Sequence, residues 1–160
     1  MIRSYLLSRL RLVPPILLLS AAPLRAQAAG PRFINPPGLS RPTGYTHVVL
    51  SPDGRTAYIA GQVAYDSTGA VVGGRSFEAQ AAQVFANLAT ALASVGASFR
   101  DVMKTTTYLT DLNNLGKLRE IRARHFDADH PPASTLIPVS TLARPELLLE
   151  IEAVAAVPPR

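Results

Sequence analysis

Residues 76–96 constrain the fold more than any other stretch. Phe77, Ala81, Val84, Phe85, Leu88, Leu92 and Val95 follow one another at spacings of three and four, which lays a single apolar stripe down a helix. Ser76 stands where an N-cap belongs, Glu78 falls in the first turn where the helix dipole favours an anion, and Gly96 is a natural stop. A helix with one apolar stripe has to lay it on another surface. The rest of the chain offers β-rich runs: THVVLS (46–51), RTAYIAGQVAY (55–65), DVMKTTTYL (101–109), STLIPV (134–139) and LLLEIEAVAAV (147–157). Pro52-Asp53-Gly54 is turn chemistry between the first two. A second, shorter stripe of Leu115, Leu118, Ile121 and Phe126 has Arg119, Arg122 and Arg124 around its other faces. The order β-β-α-β-α-β-β predicts an α+β single domain, a mixed sheet with two helices on one face. Ile59, Val63, Leu149 and Ile151 lie on one strand face or the other, and two helices cannot cover both. A sheet with an uncovered apolar face needs a partner, so a homo-oligomer is expected.

The first 28 residues stand apart. Arg3, Arg9 and Arg11 precede an apolar run, Leu12 to Leu24, and Ala26-Gln27-Ala28 supplies small residues at the positions a signal peptidase reads. This predicts a secretory signal peptide over residues 1–28, cleaved after about Ala28, and a periplasmic or secreted mature chain. The run is shorter than the roughly 20 apolar residues of a membrane span. It also holds Pro14, Pro15 and Pro23, so no membrane partner is expected after removal of the leader. Residues 29–43, with four prolines and two glycines, read as an irregular arm carrying a short strand at 32–35, and residues 44–157 as the domain proper. The whole chain has 16 basic and 11 acidic side chains, +5. Without Arg3, Arg9, Arg11 and Arg25 the balance is 12 to 11, or +1, which gives no net field for nucleic acid. There is no cysteine, which excludes disulfides and thiolate chemistry.

The usual catalytic patterns are missing. His47, His125 and His130 are scattered without the spacing of a metal site, and no metal is expected. Gly69, Gly73 and Gly74 lack the dinucleotide fingerprint, and Ser134 and Ser140 lack a nucleophile elbow. The unusual feature is Glu150-Ile151-Glu152 inside an otherwise apolar strand. Alternation places both carboxylates on one face, and a carboxylate there must be solvated, paired or functional.

Taken together, several short signatures resemble the YjgF/RidA family across nearly all of residues 31–156. They are Gly44-Tyr45, Ala60-Gly61-Gln62, Gln80 with Asn87-Leu88, Gly96, Asp101-Val102-x-Lys104-Thr105-Thr106, Tyr108-Leu109-x-Asp111-Leu112, Pro132-Ala133 and Glu150-Ile151-Glu152-Ala153. The resemblance implies a chorismate-mutase-like fold and a homotrimer whose sheets form an inner β-barrel, with ligand clefts between subunits. It also implies hydrolysis of reactive enamines and imines to 2-oxo acids and ammonia without a cofactor. By the same resemblance, Glu150 matches the glutamate that orients water, Gly61 the backbone facing the small-molecule ligand, and Tyr45 the tyrosine lining the pocket.

One position breaks the pattern. The family's carboxylate-gripping arginine follows Pro-Ala, where this chain reads Pro132-Ala133-Ser134. A hydroxyl offers one neutral donor, whereas a guanidinium offers a charged fork. Arg119 stands where active relatives carry an asparagine, and Arg122 lies one turn further on. Either could supply the missing cation, or both could belong to a solvated face pairing with Glu120 or Asp127. Two expectations follow. One is an imine/enamine deaminase with weakened or altered specificity; the other is a non-catalytic trimer that binds a small metabolite in the same cleft. Ribonuclease action has no support in a domain without paired catalytic histidines.

Overall fold

The computed structural model describes residues 30–159; the expected leader lies outside them. The long apolar stripe forms helix α1, Phe77–Ala93. The Ser76 hydroxyl accepts from the Ala79 amide at 3.3 Å, and Gly96, at φ +79°, turns the chain away without a Cβ clash. Six strands make one sheet: β1 (Arg32–Ile34), β2 (Val48–Leu50), β3 (Thr56–Gln62), β4 (Val102–Leu109), β5 (Ala133–Pro138) and β6 (Leu149–Ala156). Their spatial order is β1-β2-β3-β6-β4-β5, so the last strand fills the middle. Only β4 and β5 pair in parallel. Parallel neighbours need a crossover, and helix α2 (Leu115–Arg122) lies on it. The arm contributes β1 at the sheet edge, and its Leu39 is buried in the core.

Alternation along β6 puts Leu149, Ile151, Ala153 and Ala155 in the core, with α1 lying over β3 and β6. Ile59, Leu149 and Ile151 therefore all belong to the helix-covered side, and Val63 packs against that core. The uncovered face carries Val49, Tyr58, Ala60, Thr106, Glu152 and Val154 around a shallow hollow of about 350 Å³. Tyr58 is 55 % exposed there.

Two boundaries differ from the sequence expectation for local reasons. Ser98 and Asp101 cap each other, with the Ser98 amide donating to Asp101 Oδ2 at 2.8 Å, and this builds a 3-10 turn at Phe99–Asp101 before β4 starts. Helix α2 ends at Arg122 rather than reaching Phe126. The Phe126 ring packs edge-on against Phe99, centroids 5.4 Å apart.

Candidate functional site

Glu150 points from β6 away from the core, opposite Tyr108 of β4. On its other side the ladder to β3 is interrupted: Ile59 pairs with Ala153 and Gln62 with Ile151, so Ala60 and Gly61 bulge opposite Glu152. A bulge re-aims what lies beside it. Here it leaves the Glu150 carboxylate lying against the Gly61 backbone, and a Cβ at position 61 would overlap that carboxylate. Glu150 is half-buried and takes part in none of the three ion pairs among the described residues. Burial first, and the charge of Glu152 second, push its carboxyl above the usual glutamate range.

Tyr45 reaches the same place through the arm. Its ring packs edge-on to His47, centroids 5.2 Å apart. His47 is buried and fully engaged. Its Nε2 lies 2.8 Å from the Ser40 carbonyl, its Nδ1 3.2 Å from Gln62 Nε2, and its amide donates to Asn35 Oδ1 at 2.9 Å. A carbonyl only accepts, so Nε2 carries the proton and Nδ1 accepts from Gln62. On the far side of the bulge, Asn87 of α1 donates to the Val63 and Tyr65 carbonyls at 3.0 and 2.8 Å. Tyr45, Gly61 and Glu150 thereby line one cavity of about 500 Å³, with Arg41, Tyr65 and Ala143.

Ser134, Arg119 and Arg122 form a second, separate cavity of about 400 Å³ under α2. Ser134 of β5 pairs with Thr105 of β4, whose side chain is buried on the helix side of the sheet. Arg122 comes down from the last turn of α2, and its Nη1 donates to Thr105 Oγ1 at 3.0 Å and to Ser134 Oγ at 3.1 Å. Its guanidinium lies 4.8 Å from the centre of the Phe126 ring. Arg122 leaves the solvated face of the helix, whereas Arg119 stays exposed on it; neither pairs with Glu120 or Asp127, since Glu120 pairs with Lys117 at 3.0 Å and Asp127 with His130 at 3.4 Å. Burial lowers the Arg122 pKa, as expected of a cation withdrawn from water without an anion beside it. Within one chain the two groups of expected residues do not meet, because Glu150 and Ser134 face opposite sides of the sheet.

The family described as Endoribonuclease L-PSP is matched over residues 39–157. The chain belongs to this family. The 2-iminobutanoate/2-iminopropanoate deaminase of Homo sapiens is 37 % identical over 112 residues, covering 69 % of this chain and 78 % of the human protein. A RutC family protein of Pyrococcus horikoshii is 39 % identical over 103 residues, 64 % of this chain and 79 % of its own. Among solved structures, RidA from the Antarctic bacterium Psychrobacter superposes with a TM-score of 0.69 at 28 % identity, covering 82 % of this chain and all of that one. The α+β sheet with two helices is thus the fold shared with this Endoribonuclease L-PSP (YjgF/RidA) family.

Two contributors to this family member's site were not singled out from the sequence. Thr105 could have been found, since alternation in DVMKTTTYL sends Thr105 and Thr107 inward. The His47–Gln62 pair had no such signal, because residues 15 apart meet only once β2 and β3 are paired. Of the other histidines, His125 stacks flat on Phe85 at 4.3 Å.

Proposed function

We propose that this family member hydrolyses reactive enamines or imines to 2-oxo compounds and ammonia, with a substrate range altered from that of its deaminase relatives, in clefts between the copies of a homotrimer. The observation that carries the reading is Glu150: a half-buried, unpaired carboxylate, raised in pKa, seated against a glycine bulge and open to a cavity. Such a group takes a proton readily and returns it readily. A water bound beside it loses a proton to Glu150 as its oxygen bonds to the imine carbon. Glu150 returns that proton to the nitrogen, giving a carbinolamine. The carbinolamine hydroxyl proton then passes by way of Glu150 to the amine as the C=O bond forms, the carbon–nitrogen bond breaks, and ammonia departs without any cofactor. A second copy is required by the geometry of the reading, because the cavity of Glu150 and that of Ser134 open on opposite faces of one sheet.

Freshly generated 2-aminocrotonate is the test. The purified chain is expected to accelerate ammonia release, and Glu150→Gln to lower that rate about 10²- to 10⁴-fold. A wild-type rate equal to the buffer blank sinks the reading for this substrate. The neutral Ser134 favours the second reading, a non-catalytic metabolite-binding trimer, which the same assay separates as binding without turnover. Nucleic acid is not favoured: beyond the expected leader the chain carries 12 basic and 11 acidic side chains, a balance of +1 that gives no strong positive field to draw a polyanion.

A further inference from the structure

We infer that Arg122, supported by Ser134 and Thr105, is the carboxylate anchor of this chain, and that the cavity beside it selects acids with a bulky apolar side chain. The inference rests on the proposed reading for the reaction, but its binding claim stands on the α2 cavity alone. A guanidinium has five N–H donors in a planar fork. The two on Nη1 are directed at Thr105 Oγ1 and Ser134 Oγ. Nε and Nη2 make no hydrogen bond within the described residues, and their parallel N–H pair forms the edge that takes a carboxylate side-on. Thr105 Oγ1 donates to Ser134 Oγ at 3.3 Å, so the serine oxygen accepts twice and its own hydrogen is left for a ligand.

Two neutral hydroxyls and a ring do not balance a half-buried cation. Withdrawing a charge from water is unfavourable unless an opposite charge meets it. The residues that could have done so pair elsewhere, Glu120 with Lys117 and Asp127 with His130. Serine at 134 is what makes room: a longer side chain there would occupy the place the Arg122 guanidinium reaches. A cation rooted in the helix therefore stands where one rooted in the strand is absent.

The neighbourhood decides what the acid carries. Leu115, Leu118, Leu136, Ile151 and Pro132 line the cavity of about 400 Å³ next to Arg122. A molecule as small as pyruvate leaves those walls uncovered, whereas a branched or aromatic side chain removes them from water, and each added methylene there favours binding.

Isothermal titration of the purified chain with 4-methyl-2-oxopentanoate and with pyruvate tests both parts. The larger acid is expected to bind about tenfold more tightly or better. Arg122→Gln is expected to weaken both acids about thirtyfold or more. Arg122→Lys keeps charge without the fork and is expected to recover only part of the loss. The exchange S134R with R122Q, which returns the cation to the strand, is expected to recover most of it. If Arg122→Gln does not fold, by far-UV circular dichroism, the lysine variant and the exchange carry the test. An unchanged Kd in Arg122→Gln, or no binding of either acid by wild type, overturns the anchor; equal Kd values for the two acids overturn the selection. Binding that depends on Arg122 in a chain that hydrolyses no imine keeps the anchor and removes the proposed reaction. Hydrolysis with unaltered KM in Arg122→Gln does the reverse.

Discussion

A carboxylate at position 150 sits partly out of water, with a second one at 152 on the same face of the strand. Burial and that neighbour raise its pKa, and the sign of the consequence is definite. The folded chain holds the proton to higher pH than the unfolded chain, whose glutamate titrates near 4.5. Stability from this group is therefore complete below that value and is lost as pH rises through the raised one. Glu150→Gln is expected to melt at a higher temperature than wild type at pH 8, with the difference shrinking toward pH 4. A constant difference across that range, by thermal melting, would show that the charge is not the cause. Glu150 was legible in the sequence because a charge in an apolar strand is conspicuous and alternation assigns its face. The contact between Arg122 and Ser134 was not, because it depends on how far along β5 the end of α2 comes down.

Elements are joined by a few buried polar side chains more than by loop chemistry. Gln80, on α1, is fully buried; its Nε2 donates to the carbonyls of Gly74 and Glu146 at 2.6 and 2.7 Å, and its Oε1 accepts from the Leu148 amide at 2.9 Å. It ties the start of the helix to the entry of β6, two residues before Glu150. Gln80→Leu leaves two carbonyls and an amide without partners and is expected to cost about 2–4 kcal/mol in urea unfolding. Loss of under about 0.5 kcal/mol would mean water replaces it. The periodic segments themselves were readable: α1 and its Ser76 cap, the strand at the arm, and the runs that became β2 to β6. Element ends shifted where one side chain met its own backbone, as with the Ser98–Asp101 cap ahead of β4.

For the whole molecule the uncovered sheet face is decisive. Val49, Tyr58 and Val154 surround its hollow, an apolar surface beside Glu152 and Lys104. If copies pack through this face, the proposed cleft exists only in the assembly. Sedimentation velocity is expected to give a trimer for wild type and a smaller species for Tyr58→Glu, with deaminase activity falling in parallel. A wild-type monomer that retains full activity would remove the need for a second copy.

The α+β class, the faces of the helices and the strand face of Glu150 follow from the sequence alone, because periods of 3.6 and 2 are local properties of the backbone. Tertiary structure alone decided that β6 enters between β3 and β4, that the bulge at Gly61 makes room for the Glu150 carboxylate, and that Arg122 reaches Ser134. Each of these joins residues far apart in the chain, and strand register and helix placement over the sheet, rather than any local preference, bring such residues together.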